Sequence, residues 1–82
     1  MALEELKSGA RVIGTRQVKK ALNKGIVKKV YIASDAEPHI IEPIKQLCQQ
    51  NQVEIEVVDK MVTLGDICGI EVGSATAALL NE

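Results

Sequence analysis

The stretch Ile13-Gly14-Thr15-Arg16-Gln17-Val18-Lys19-Lys20-Ala21-Leu22-Asn23-Lys24-Gly25 reads as a strand end, a tight glycine turn and a basic helix. Thr15 is the expected N-cap and Gly25 the expected C-cap. Val18, Ala21 and Leu22 fall three and four apart, so one face can pack on a core. On the other side Arg16, Lys20 and Lys24 are spaced i, i+4, i+8, which lines up their positive charges. Like charges at that spacing weaken an isolated helix by roughly a few tenths of a kcal/mol per pair. A docked polyanion would remove that repulsion. The helix N-terminus beside Gly14 adds free backbone N–H groups and a partial positive charge, which suit a phosphate or a base carbonyl. A solvated helix face explains a single basic helix equally well, so the charge map of the whole chain has to decide.

That map is strongly asymmetric. From Lys7 to Lys29 there are eight bases (Lys7, Arg11, Arg16, Lys19, Lys20, Lys24, Lys28, Lys29) and no acid. From Val30 to Glu82 two bases, Lys45 and Lys60, stand against nine acids. The net charge of −1 therefore conceals a basic face and an acidic back. Such a footprint belongs to a nucleic-acid binder that engages its ligand by one surface.

Working outward, residues 3–8 read as a short helix with Leu3 and Leu6 inward, ended by Gly9. Arg11-Val12-Ile13 is a short strand. Lys28-Lys29-Val30-Tyr31-Ile32-Ala33 is β-rich and forms the next strand. Ile40, Ile41, Ile44, Leu47 and Cys48 form a helical stripe that ends near Asn51. Pro43 breaks a helix interior but suits a first turn, so this helix is expected to start near Ile40 or later. Val53-Glu54-Ile55-Glu56-Val57-Val58 alternates as a half-buried strand, with its glutamates toward water. Asp59 is the expected N-cap of a short helix that turns Met61, Leu64 and Ile67 or Cys68 inward and stops at Gly69. Ile70-Glu71-Val72-Gly73 is a loop. Ala75 to Leu80 reads as a final strand, although alanine and leucine also favour a helix.

The 82 residues make one domain, 1–82, with a modest core. Alternating helices and strands imply an α/β fold, a three-layer α/β/α sandwich with a four-stranded mixed sheet. No apolar run approaches the ~20 residues of a membrane span, and the acidic, amphipathic start is not a signal peptide. A cytoplasmic protein is expected. Cys48 and Cys68 are not in a CxxC pattern and read as buried thiols. With His39 as the one histidine, they are too few for a zinc site.

An enzyme is not expected. His39 sits at a helix start, and Ser8, Ser34 and Ser74 have no evident base partner. Gly65, Gly69 and Gly73 are spaced by four, but no lysine follows them as in a P-loop. No cofactor is implied. Tyr31 is the one aromatic residue, which disfavours modules that stack bases on an aromatic sheet. Recognition must rest on basic and amide side chains, helix N-terminal amides and aliphatic contacts, which suits a structured RNA with an opened groove.

Two segments together carry a family resemblance. Gly14-Thr15-Arg16-Gln17-Val18-Lys19-Lys20-Ala21-Leu22 with Gly25 is similar to the glycine-turn-helix signature of the kink-turn-binding ribosomal protein family, the archaeal L-seven-Ae group with its bacterial YbxF-type relatives. Leu64-Gly65-Asp66-Ile67-Cys68-Gly69-Ile70-Glu71-Val72-Gly73-Ser74-Ala75 is similar to its second signature. The likeness covers nearly the whole chain. It implies the α/β/α fold and binding of kink-turn RNA, a sharply bent internal loop with sheared G·A pairs. It also implies that Gly14, Thr15, Arg16, Gln17 and Lys20 meet those pairs and nearby phosphates, and that Lys24 meets backbone phosphate. Ile70, Glu71 and Val72 would cover a flipped-out base, and Lys19 and Gly73 complete the RNA-binding set. Where archaeal members carry Asn-Glu, this chain has Arg16-Gln17. The amide accepts as well as donates, and the arginine adds reach to phosphate or guanine.

The expected function is that of a ribosome-associated protein, monomeric, that selects the bent state of a ribosomal or riboswitch-like RNA and shifts the equilibrium toward it. The alternative is a protein–protein interaction module using the same basic face. Protein interfaces favour aromatic anchors, which this chain almost lacks.

Overall fold

In a computed structural model, which describes residues 10–69 and 73–81, the elements follow the hydrophobic periodicities. They are β1 (Arg11–Ile13), α1 (Thr15–Lys24), β2 (Val27–Ala33), α2 (Pro38–Asn51), β3 (Glu54–Val58), α3 (Met61–Cys68) and β4 (Thr76–Leu80). The helix expected over 3–8 and the loop residues Ile70, Glu71 and Val72 lie outside the described residues.

The sheet order is β1-β4-β2-β3. β4 runs antiparallel to both β1 and β2, and β3 pairs parallel with β2. The step from β1 to β2 passes over β4, and the step from β2 to β3 continues in the same direction. Right-handed crossovers of this kind set both connecting helices on one face, and α1 does pack on α2. α3 packs on β2, β3 and β4, completing the α/β/α sandwich from the other face. The alanine-rich last segment is a strand at the sheet interior. Ala77 and Ala78 are fully buried between β1 and β2.

The core draws on every layer. Val18 and Leu22 of α1, Val30, Tyr31 and Ile32 of β2, Ile44 and Cys48 of α2, and Leu64 of α3 are all buried. Each large aliphatic side chain contributes about 1.5–3 kcal/mol by leaving water.

Helix starts differ from the sequence expectation in three places, each for a physical reason. The N-cap of α1 is Gly14, with φ 96° and ψ 150°, and Thr15 is the first helical residue. The Gly14 N–H donates to the Thr76 carbonyl at 3.0 Å while its own carbonyl accepts from the Val18 N–H at 3.0 Å. Closing the β1–β4 ladder and opening a helix at one residue forces a backbone region that is essentially glycine's alone. α2 starts at Pro38 and runs through Pro43. Pro38 suits the first helical position, where no N–H is needed. The bond lost at Pro43 is offset by burial of Ile41, Ile44 and Cys48 along the same helix. α3 is capped by residue 60 rather than 59, with no cap from its own side chain. Instead Asp35 Oδ1, in the β2–α2 loop, accepts the Met61 N–H at 2.8 Å. The Ser34 hydroxyl donates to the Asp59 carbonyl at 2.7 Å. At the C-terminal end Gly25 closes α1 in the left-handed region, as expected.

Of the β3 glutamates, Glu54 is exposed as expected, whereas Glu56 is only half-exposed, and both pair with a lysine. The parallel register sets Glu54 beside Lys29 and Glu56 beside Tyr31. The Lys29 ammonium then lies 2.9 Å from Glu56 Oε1 and 3.0 Å from Glu54 Oε2. It also sits 5.6 Å from the centre of the Tyr31 ring. The hydrogen bond to Glu56, joined by Glu54, holds the lysine above the ordinary lysine range despite opposing desolvation.

Candidate nucleic-acid interface

The face of α1 opposite the core is built by helical spacing. Val18, Ala21 and Leu22 are buried, so residues half a turn away point to solvent. Arg16, Gln17, Lys20, Asn23 and Lys24 are exposed, and Thr15 and Lys19 are half-buried at one flank. Thr15, Arg16, Lys19, Lys20 and Asn23 line one shallow, open groove. Gln17 and Lys24 are not among the described residues that line it. They are seven apart, hence nearly superposed, on the opposite flank of the face. The helix therefore presents a broad polar arc in two stripes rather than one.

The cations of this arc are unoccupied. Among the described residues, Arg16, Lys19, Lys20 and Lys24 have no ion-pair or hydrogen-bond partner, whereas Lys29 is held by two glutamates. Arg11 and Lys28, also part of the basic run, are not free of partners either. Helix geometry adds further donors. The Thr15, Arg16 and Gln17 N–H groups have no intrahelical acceptor, and no side chain caps this end. A Cβ placed on Gly14 would meet nothing within 4 Å, so this backbone corner stands open to a ligand. Lys24 lies in the last turn, where the helix dipole favours a cation.

The two sequence segments meet. The Thr76 carbonyl accepts both the Gly14 N–H at 3.0 Å and the Ser74 hydroxyl at 2.6 Å. The loop that enters β4 is thus tied to the turn that opens α1. Gly73 has a separate structural reason: a Cβ there would lie 2.9 Å from Met61 Cβ and 3.1 Å from the Met61 carbonyl carbon. That close approach lets the Ser74 N–H donate to the Met61 carbonyl at 3.0 Å.

Asn23 is the groove residue that the sequence reading passed over. It is neutral and so invisible to a charge count, but its spacing of four from Lys19 and of three from Lys20 is a signal that could have found it. Among the described residues no three His, Cys, Asp or Glu side chains gather to hold a metal ion, and no helix is long and apolar enough to cross a membrane. Cys48 is buried, and desolvation pushes its thiol up to about 11.

A family model described as the ribosomal protein L7Ae/L30e/S12e/Gadd45 family matches residues 2–82. An RNA-binding protein of Caldanaerobacter subterraneus subsp. tengcongensis is 47% identical over 68 residues, covering 83% of each chain. The RNA-binding protein YbxF of Geobacillus stearothermophilus is 40% identical over 76 residues, covering 93% of each. Among solved structures, the Giardia lamblia 15.5kD RNA binding protein superposes with a TM-score of 0.91 at 26% identity, over 99% of this chain and 72% of its own. A protein of unknown function from Bacillus halodurans C gives a TM-score of 0.79 at 27% identity, over 87% of this chain and 71% of its own.

Proposed function

Because the chain belongs to the ribosomal protein L7Ae/L30e/S12e/Gadd45 family, we propose that it is a non-enzymatic RNA-binding protein that recognises and stabilises kink-turn RNA. The observation that carries this reading is the basic face of α1, whose cations have no partner among the described residues, joined through Gly14 and Thr76 to the segment that enters β4. Relatives whose names state RNA binding support it.

In this reading Gly14, Thr15, Arg16, Gln17, Lys19 and Lys20 form the main contact surface. Backbone amides at the start of α1 and the Gln17 amide face the sheared G·A pairs, where a widened groove admits a helix end. Arg16, Lys19, Lys20 and Lys24 hold phosphates, releasing counterions as they do so. Ile70, Glu71 and Val72 cover the extruded base, and Gly73 completes the RNA-binding set. The protein binds the bent conformer and not the extended one, so its differential affinity moves the RNA toward the bend. Association with the ribosome, a cytoplasmic location and a monomeric state belong to the same proposal.

A gel-shift titration at fixed salt decides it. One duplex carries a kink-turn, and a control has its G·A pairs replaced by Watson–Crick pairs. Tight binding to the first with weak binding to the second is expected. Equal, salt-sensitive binding to both would reduce the interface to a general polyanion surface. Binding to neither would transfer the basic face to an acidic protein partner.

A further inference from the structure

The chemistry of the α1 groove is one-sided at three of the five described residues that line it. Arg16, Lys19 and Lys20 are donors only. Phosphate is acceptor only, so these three suffice to hold a strand's backbone. Asn23, exposed in the same groove, brings a side-chain carbonyl oxygen that phosphate cannot use. Its amide makes no hydrogen bond among the described residues. The other acceptor in the groove, the Thr15 hydroxyl, is half-buried and eight residues away, ~12 Å along the helix axis. Gln17 lies on the opposite flank. Among the described residues the acceptor of Asn23 therefore stands alone at its end of the groove, one turn or ~5.4 Å past the Lys19–Lys20 pair.

Sugars alternate with phosphates along the backbone, so a strand whose phosphates are held by Lys19 and Lys20 carries a ribose next to them. The ribose 2′-hydroxyl is both donor and acceptor, and it is the group that distinguishes RNA from DNA. Resting on the kink-turn reading above, we infer that Asn23 accepts a hydrogen bond from a backbone 2′-hydroxyl and so makes the Thr15–Lys19–Asn23 flank of α1 a sensor of ribose. The groove then has two tasks on one strand: cations grip the phosphates, and the amide checks the sugar.

The test is a coupling experiment. Kink-turn duplexes carrying single 2′-deoxy substitutions, scanned along both strands, are titrated with the wild-type protein, Asn23→Ala and Asn23→Asp. For the wild type, one deoxy position is expected to weaken binding by about five-fold, the effect of one neutral hydrogen bond. Asn23→Ala is expected to weaken binding to the all-ribose duplex by a similar factor and to be indifferent to that same substitution. Asn23→Asp keeps an acceptor but adds negative charge, so it should bind more weakly throughout while retaining the deoxy effect. Circular dichroism of both variants checks that the exposed position leaves the fold unchanged. Equal deoxy sensitivity of the wild type and Asn23→Ala at every position would overturn the role of Asn23 alone. Failure of the wild type to prefer the kink-turn over its Watson–Crick control would instead overturn the reading on which the inference rests.

Discussion

Lys20 and Lys29 carry the same charge within the same basic run, and the fold gives them opposite roles. Lys20 projects from α1 with no partner among the described residues. Lys29 is mostly buried beside Glu54, Glu56 and the Tyr31 ring. The glycines divide in the same way. Gly14 faces open space, and only its positive φ requires glycine. Gly73 has no left-handed backbone and is required because Met61 occupies the place of a Cβ. In both pairs one member has open space beside it and the other closely meets a neighbour within the fold. A charge or a glycine in the sequence signals function only after that distinction has been made.

The largest expected effect breaks the pairing of the two lysines outright. Lys20→Glu should reduce affinity for a kink-turn duplex by about 100-fold, because a repelled phosphate replaces an attracted one. Its urea midpoint should stay near that of the wild type. If affinity survived charge reversal at Lys20, the α1 face would not be the contact surface.

The glycine pair separates stability from binding. Gly73→Ala should cost about 2 kcal/mol of stability through overpacking, since the nearest atoms include the Met61 backbone. Gly14→Ala meets no atom, yet should cost about 1–3 kcal/mol through its strained φ. It should also weaken RNA binding, because any relaxation moves the Gly14–Thr76 hydrogen bond and the helix start. Denaturation curves paired with titrations measure both quantities. A Gly73→Ala protein as stable as the wild type would show that the α3–β4 contact is loose.

Lys29→Met sharpens the comparison from the other side. It should destabilise the fold by about 1–2 kcal/mol, less than a fully buried pair because Glu54 remains largely exposed. Affinity measured on the folded protein should be unchanged. The pH dependence of stability follows from the same interior. Lys29 and Cys48 both hold their protons more tightly when folded. Their contribution is therefore complete below the unfolded pKa values and is lost as pH rises through the folded ones. For Cys48, raised from 9.0 to about 11, the loss should reach about 1 kcal/mol by pH 10. A urea titration series from pH 8 to pH 10 measures it. Cys48→Ala should flatten the decline, and an unchanged decline in that variant would remove the thiol from the account.

What the sequence revealed is governed by distance along the chain. Strands, helices and the αL stop at Gly25 follow from local periodicity and residue type, and they were legible. So was the basic stripe on α1. Features set by partners far along the chain were not. Asp35 caps α3 across the loop between β2 and α2, while Asp59, the locally obvious cap, contributes its carbonyl instead. Glu54 and Glu56 alternate as solvent-facing residues should, but the β2–β3 register brings Lys29 between them. Thr15 has the chemistry of a cap, yet the hydrogen bond from Gly14 to Thr76 shifts the helix start by one residue. Asn23 is a different case: helical spacing already places it beside Lys19 and Lys20, but it has no charge to flag it.

The smallest effect is the most discriminating, because it counts phosphate contacts rather than affinity. Each cation that holds a phosphate adds to the slope of log K against log salt by about 0.7–0.9, depending on whether the strand is single or paired. Arg16→Ala and Lys24→Ala should each lower that slope by nearly one unit, although either variant loses only a few-fold in affinity at a single salt concentration. Lys29→Met removes an equal charge, but two carboxylates already neutralise it and no phosphate exchanges for them. Its slope should match the wild type. Distance from the interface does not explain this contrast, because long-range attraction is screened over about 10 Å at 0.1 M salt and affects all three lines in the same sense. Equal slope changes in Arg16→Ala, Lys24→Ala and Lys29→Met would mean that RNA senses the chain's overall charge. A change confined to the α1 variants would show that it senses the cations on the exposed face of α1.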